Sequence, residues 1–244
     1  MFEQFIESDV RKTRLHLPVN EESVSKKLTA MLPSDIIKDS TVLDLGCATG
    51  SAGHWCNLNK CKSYTGVELQ DNYYRTAKQL LPDSEIVQSD VIEFLKTTDR
   101  NWEVVIAAGL LHGLFNPFEI ISLIDKVATD YIIIENNETV EGKIPSIHFR
   151  KTNMVNDTDM NNPYYGYATY IGSSALEFIM NEYGWVGTRV YPEELINGID
   201  PYHHKTVFDP SIPEHVHRYI YIFQRSNTIK QSLEHLVRNS NVEV

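Results

Sequence analysis

Short apolar runs alternate with longer amphipathic segments from residue 21 to residue 135. Runs this short, bounded by turn residues, are typical of strands buried in a parallel sheet, and the segments between them have helical spacing of apolar positions. Such alternation implies right-handed crossovers, which place ligands beyond the carboxyl ends of the strands. The pattern predicts strands at 41–45, 63–68, 85–88, 102–107 and 131–135, and helices at 21–32, 51–59, 72–81, 91–96 and 117–128.

After residue 135 the pattern becomes irregular. The stretches 136–171 and 192–213 are polar and aromatic, and loops of this length in compact domains are commonly functional lids or inserts. Around them the sequence predicts a helix at 173–183, strands at 185–191 and 218–224, and a helix at 229–238. We therefore expect an α/β fold with a mostly parallel seven-stranded sheet, helices on both faces and an antiparallel last strand.

We expect one main domain with additions at both ends. The chain has 244 residues, 42% of them hydrophobic, and no glycine- or proline-rich linker, so it can bury a full core. Residues 1–40 are predicted to form an N-terminal helical cap, and residues 226–244 a C-terminal helix. The main domain is predicted at 41–225, with insertions at 136–172 and 192–213.

A glycine turn follows the first predicted strand, and an acidic residue ends the second. Gly46 and Gly50 bound the turn, and Glu68 closes the apolar run of strand two. Glycine tolerates positive φ and lets a ligand approach the backbone closely. In folds of this kind, an acid at the end of the second strand hydrogen-bonds ribose hydroxyls. The combination predicts a site for a cofactor that contains adenosine.

The spacing within the turn separates two classes of cofactor. A dinucleotide site favours G-x-G-x-x-G, with the pyrophosphate on a helix N-terminus. This chain has Asp44-x-Gly46-x-Ala48-x-Gly50 instead. A carboxylate at Asp44 would repel phosphates but suits a cationic amino-acid cofactor. The spacing therefore disfavours NAD, and the other reading of Asp44 is a residue that merely caps the turn.

The segment 41–50 together with Glu68 resembles motif I of the class I S-adenosylmethionine (SAM) methyltransferases, which have a Rossmann-like fold. Ala48 stands where that motif most often has glycine, and it adds only one methyl group. Asp90 is one of the cofactor-binding residues that the resemblance implies, and its alternative role is the N-cap of the helix predicted to begin at Val91. The resemblance implies that SAM is the cofactor and is bound by Asp44, Gly46, Cys47, Ala48, Gly50, Glu68, Leu69, Asp90, Val91 and Gly109.

The continuation of strand four supplies a candidate catalytic residue. The segment from Gly109 through His112 to Pro117 resembles the family's motif beside the methyl-transfer face. With 170–176 and 183–185, it is also similar to small-substrate enzymes related to the tRNA wobble-uridine carboxymethyl-transfer enzymes. The resemblance places His112 where the methyl group emerges, and histidine suits a base at neutral pH. The alternative is a histidine packed under the following helix.

Aromatic and histidine side chains in the irregular stretches are candidates for acceptor binding. Tyr165 and Tyr170 could line a pocket or face a cationic substrate, and His203 and His204 could cover it. The alternative for the tyrosines is a loop anchored by buried rings, and for the histidines it is an exposed loop.

Charge and composition narrow the partners. A formal net charge of −11 and a pI near 5.3 disfavour a broad nucleic-acid surface. We therefore expect a small-molecule acceptor, with tRNA and a homodimer left open. No apolar run approaches the roughly 18 residues of a membrane span, no signal peptide is visible, and the cysteine count of 3 fits a reduced compartment. We expect a cytoplasmic protein that binds no membrane and no metal.

The sequence thus favours a SAM-dependent methyltransferase that acts at oxygen or nitrogen of a small or medium-sized acceptor. One alternative is a SAM-binding enzyme that cleaves the cofactor or transfers another of its groups. Another is a partner subunit that keeps the fold without catalysis. An NAD-dependent dehydrogenase is a residual option, which the glycine spacing opposes.

Overall fold

A seven-stranded sheet forms the centre of the protein, as described by a computed structural model. The structure describes residues 27–114, 116–139, 145–151, 167–190 and 216–226. The strands are β1 Thr41–Leu45, β2 Ser63–Glu68, β3 Glu85–Gln88, β4 Trp102–Ala108, β5 Ala128–Thr139, β6 Ile147–Lys151, β7 Tyr167–Ile171, β8 Trp185–Val190 and β9 Val216–Arg225. The helices are α1 at residues 27–31, α2 Ser34–Ile37, α3 Ser51–Leu58, α4 Asp71–Leu80, α5 Val91–Thr97, α6 Pro117–Val127 and α7 Ser173–Glu182, and a 3-10 turn covers Leu111–Gly113.

The strand order in the sheet is β3-β2-β1-β4-β5-β9-β8. Neighbouring strands from β3 to β5 are parallel, whereas β9 runs antiparallel to both β5 and β8. The predicted fold class is therefore confirmed. The order reverses between β1 and β4, and in open α/β sheets ligands bind at that point, beyond the strand carboxyl ends.

Helices cover both faces of the sheet because alternate residues of each strand point to opposite sides. In β4, Val105 and Ala107 belong to the layer that contains α5, α6 and α7. Val104 and Ile106 belong to the opposite layer, with α1, α2, α3 and α4. The first layer closes one side of the sheet, and the second brings helix α1 against the other.

Two helices begin at side-chain caps that the sequence predicts. Asp90 Oδ1 accepts hydrogen bonds from the backbone N–H groups of Ile92 at 2.8 Å and Glu93 at 3.2 Å, at the start of α5. Asn116 Oδ1 accepts from the backbone N–H of Glu119 at 3.4 Å, at the start of α6. These bonds satisfy donors that the first turn of a helix leaves unpaired.

The stretch 136–171, predicted to be irregular, contains strands. β5 continues past Glu135 to Thr139, because each added residue pairs with β9 as far as Thr139 opposite Val216. β6 and β7 form a separate antiparallel pair, from Ile147 opposite Ile171 to Lys151 opposite Tyr167. Pairing across this distance leaves no local pattern that reveals it.

Other predictions fall outside the described residues. These are the start of the helix at 21–32, the insertion at 192–213 and the helix at 229–238. Over the ranges that the structure covers, no helix is long and apolar enough to cross a membrane.

Candidate active site

The glycine turn between β1 and α3 has the left-handed backbone that its sequence predicts. The φ angles are +74° at Gly46, +49° at Ala48 and +90° at Gly50. Glycine adopts such angles without strain, whereas Ala48 accepts a conformation that side chains disfavour. The turn is fixed to β2, because the backbone N–H groups of Gly46 and Cys47 donate to Val67 O at 2.8 and 3.0 Å.

Glu68 is a buried carboxylate anchored beside this turn. Its Oε2 accepts from the backbone N–H of Ala48 at 2.9 Å, and its Oε1 accepts from the backbone N–H of Gln70 at 2.8 Å. Each carboxylate oxygen has capacity for a second hydrogen bond. The group is therefore held in position and can still accept from a ligand hydroxyl above the turn.

Asp44 lies under the turn, only 3% exposed, and accepts a hydrogen bond from the Tyr64 hydroxyl at 2.6 Å. The pKa of Asp44 is raised from 3.8 to about 6 as the net result of three effects. Burial raises it, the hydrogen bond from Tyr64 lowers it, and the nearby charge of Glu68 raises it. Burial is the largest of these effects. Sequence reasoning missed Tyr64, which lies in a β2 run that reads as ordinary core.

Cys47 is a packing residue of the turn. Its Sγ would lie only 2.8 Å from a Cβ placed on Gly66 of β2, so the thiol occupies the space that the glycine leaves. Burial, followed by the charges of Asp44 and Glu68, raises the pKa of Cys47 far above that of an ordinary thiol. Burial thus favours the neutral form of this thiol.

Three further predicted cofactor residues lie at the ends of β2 and β3. Asp90 caps α5 through Oδ1, which leaves Oδ2 for a second role. Val91 is buried in the core with α5, and Leu69, directly after Glu68, is 52% exposed. The cap role of Asp90 is thus present, and contact with the cofactor stays a prediction for all three.

Gly109 lies at the end of β4, where a side chain would meet two candidate functional groups. Its φ is +64°, and its backbone N–H donates to Glu135 O at 3.0 Å. A Cβ on Gly109 would lie 3.8 Å from His112 Cε1 and 3.9 Å from Glu135 Oε2. The structure therefore brings Gly109, His112 and the Glu135 carboxylate around one point, at the carboxyl end of β4 and beside the middle of β5.

Glu135 also forms a buried ion pair with Lys27 of α1. Lys27 Nζ lies 2.6 Å from Glu135 Oε1, and the two side chains are 8% and 2% exposed. Sequence reasoning missed this pair. One signal was available for Glu135, since it ends an apolar strand just as Glu68 does. No local pattern marks Lys27, because a lysine in an amphipathic helix usually lies in solvent.

Of the predicted acceptor residues, the structure describes Tyr170 alone, whereas Tyr165, His203 and His204 lie outside the described ranges. Tyr170 is buried in β7, opposite His148 of β6. The neighbouring Thr169 Oγ1 donates to Leu114 O at 2.7 Å. This bond fixes β7 against the 3-10 turn that carries His112.

No cluster of three or more His, Cys, Asp or Glu side chains suited to a metal occurs among the residues that the structure describes.

Residues 43–130, just over a third of the 244-residue chain, match the family described as "Methyltransferase domain". The matched region spans β1 to the start of β5 and includes the glycine turn, Glu68, Asp90 and His112. No curated protein matches the chain.

Solved methyltransferase structures share the fold over most of the chain. Magnesium protoporphyrin IX methyltransferase from Synechocystis PCC 6803 with bound SAM is 11% identical, with a TM-score of 0.56, covering 92% of this chain and 91% of that one. A putative SAM-dependent methyltransferase from Listeria monocytogenes is 14% identical, with a TM-score of 0.60 and coverage of 85% and 100%. The N-methyltransferase NodS from Bradyrhizobium japonicum WM9 is 13% identical, with a TM-score of 0.55 and coverage of 85% and 99%.

The chain thus contains a region that matches a methyltransferase domain, and its fold is shared with solved SAM-dependent methyltransferases. The left-handed turn and the anchored Glu68 carboxylate fit a cofactor that carries a ribose and a cationic amino-acid group, because they offer close backbone approach and hydroxyl acceptors.

Proposed function

We propose that this protein is a SAM-dependent methyltransferase that transfers a methyl group to an oxygen or nitrogen atom of a small or medium-sized acceptor, with His112 as the general base. The observation that carries the proposal is the grouping of His112 and Glu135 around Gly109, at the end of β4. A general base must lie where the acceptor loses its proton, and this end of the sheet is where ligands of such folds bind.

The residues around the turn support a division of labour in holding the cofactor. We assign the ribose hydroxyls to Glu68, the adenine amino group to Asp90 Oδ2 and the cationic amino-acid end to Asp44. The open backbone of Gly46 and Gly50 allows close approach, with Cys47, Ala48, Leu69, Val91 and Gly109 completing the contact surface.

Positioning supplies much of the rate in this mechanism. When bound, SAM supplies an electrophilic methyl group on a sulfonium, which is a good leaving group. Asp44, Glu68 and Asp90 would hold the cofactor, which would supply the methyl group and keep the electrons of the broken bond on its sulfur. His112 takes the proton that the acceptor oxygen or nitrogen gives up. Holding the acceptor in line lowers the barrier without further chemistry.

The test of the proposed reaction is to incubate the protein with labelled SAM and panels of hydroxyl and amine compounds. Release of S-adenosylhomocysteine together with a labelled acceptor is the expected result. Accumulation of methylthioadenosine would contradict methyl transfer and favour cleavage or transfer of another group.

Replacing His112 by alanine is expected to lower kcat about 100-fold, because general-base assistance is typically worth at least this factor. SAM affinity should stay unchanged, since the assigned cofactor contacts lie on other residues. Turnover is measured by S-adenosylhomocysteine release and affinity by calorimetry. His148→Ala in β6 is the matched control and should leave kcat unchanged. Full activity of His112→Ala would assign this histidine to packing.

SAM affinity is expected to rise as pH increases through about 6, the pKa to which burial raises Asp44. The ionised carboxylate attracts a cationic ligand and the protonated one does not. Calorimetry between pH 5 and pH 8 should show this dependence, and Asp44→Asn should flatten it. An unchanged pH dependence in Asp44→Asn would remove Asp44 from the cofactor site.

The same group has the opposite effect on folding. Because the folded-state pKa is raised above 3.8, the folded protein binds the proton more tightly than the unfolded chain. Stability attributable to Asp44 therefore falls as pH rises from about 4 to about 6. Asp44→Asn keeps an acceptor for Tyr64, so it should be more stable than the natural protein at pH 8 in thermal denaturation.

A further inference from the structure

The ion pair between Lys27 and Glu135 lies in the protein interior at the edge of the acceptor site. Its side chains are 8% and 2% exposed, and its charged atoms are 2.6 Å apart. Removing two charges from water costs several kcal/mol per ion, and replacing such a pair by apolar residues is often neutral or stabilising. Fold stability alone is therefore a weak reason for it, and the surroundings of Glu135 suggest a second reason.

The two oxygens of Glu135 point to different neighbours. Oε1 contacts Lys27, whereas Oε2 lies 3.9 Å from the Cβ position of Gly109, and His112 Cε1 lies 3.8 Å from that same position. Glycine at 109 thus keeps a side chain out of the space that the carboxylate and the imidazole flank. A negative charge on the same side of the site favours the protonated form of an imidazole.

We propose that Glu135 is a positioning residue for His112, and that Lys27 keeps Glu135 ionised while it does so. The proposal rests on the proposed function, in which His112 is the base, and names the group that tunes it. A base oriented and supported by a third, charged group is a recurrent arrangement in enzymes.

The proton balance of this arrangement is simple. During transfer, the proton leaves the acceptor and stays on His112, which becomes an imidazolium. Glu135 remains ionised throughout, because the Lys27 ammonium neutralises its charge in the low-dielectric interior. We expect the charge of the carboxylate to dominate at the ring, because Oε2 is directed toward the Gly109 position that His112 also approaches, whereas Oε1 contacts Lys27. The pair therefore strengthens the base without taking its proton.

Among the described residues, the elements next to His112 carry the following charged or titratable groups. β5 contributes Glu135, and α1 contributes Lys27 through it. β7 packs against the turn through Thr169, which does not titrate, with Tyr170 next to it in the strand. The Tyr170→Phe variant removes the phenol hydroxyl of β7 while the Lys27–Glu135 pair stays in place, so it serves as a control.

The proposal is tested on the full chain by NMR titration of the His112 ring, assigned by its loss in His112→Asn. Glu135→Gln should lower the pKa of His112 by about 1, because the nearby negative charge is lost and the ammonium remains. The double variant Lys27→Met/Glu135→Gln should give an intermediate pKa, since both charges are gone. The signals of His148 in the same samples, and of His112 in Tyr170→Phe, should not shift.

The double variant keeps the test valid if Glu135→Gln alone fails to fold, because it buries no unpaired charge. A His112 pKa that is the same in the natural protein and in the double variant would overturn the proposal. Failure of the proposed function has a different signature, namely full turnover by His112→Ala while the titration still shifts. The titration needs no acceptor, and the turnover assay needs only one compound that the protein methylates.

Discussion

Replacing Lys27 by methionine is expected to destabilise the protein by about 3–5 kcal/mol, the usual cost of removing one partner of a buried ion pair. The Glu135 carboxylate would stay almost fully enclosed without its cation. Since domains are stable by only about 5–15 kcal/mol, the variant should approach its unfolding threshold. Urea denaturation of the natural and variant proteins measures the free energy of unfolding.

Two companion variants show whether burial is the cause. Lys27→Met/Glu135→Gln should recover most of the loss, because no charge is left without a partner. Arg75→Met removes a pair with Asp71 whose side chains are 76% and 53% exposed, and an exposed pair one helical turn apart contributes only about 0.3–0.5 kcal/mol. If Lys27→Met lowers the free energy of unfolding no more than Arg75→Met does, the Lys27–Glu135 pair is exposed to water in solution.

Replacing Glu68 by alanine is expected to weaken SAM binding by more than about 100-fold. Hydrogen bonds to a charged group contribute about 1.5–3 kcal/mol each, two are assigned to the ribose, and each 1.4 kcal/mol is a factor of ten. The loss of the bonds to Ala48 and Gln70 should add to the effect, because they hold the turn. Calorimetry with SAM and S-adenosylhomocysteine measures the change.

The fold should survive this substitution, since the β1–β2 pairing uses backbone groups along the whole strand. Thermal denaturation checks that point. Glu85→Ala is the control, because Glu85 begins β3 at the opposite end of the sheet and pairs with Arg100 at 2.8 Å. Equal SAM affinity in Glu68→Ala and Glu85→Ala would contradict the ribose assignment.

The parallel half of the sheet could be predicted well from the sequence. The bounds of β1, β2 and β3 agree with the prediction to the residue, because buried parallel strands are continuous apolar runs that end at turn residues. Most observed helix ends differ from the predicted ones by one residue, because the ends of helices fray and are defined only to within about one or two residues. The antiparallel pair β6–β7 was not predictable, because its partners lie far apart in sequence and its residues do not alternate clearly.

The candidate site likewise contains features that the local sequence predicts and contacts that it does not. The turn and Glu68 are local features, and the structure places them side by side. The ion pair joins residues 27 and 135, and the Tyr64–Asp44 bond joins β2 to β1. Such contacts depend on the tertiary fold, so sequence spacing alone does not contain them.

The position of Lys27 has a consequence for the segment that carries it. Because Lys27 pairs with Glu135, the role proposed for Glu135 predicts that the docking of α1 and the occupancy of the proposed site share a free energy. Linkage makes such coupling reciprocal: a ligand that favours ionised Glu135 holds α1 in place, and anything that loosens α1 weakens that ligand by the same factor. On this proposal, helix α1 is energetically part of the candidate site.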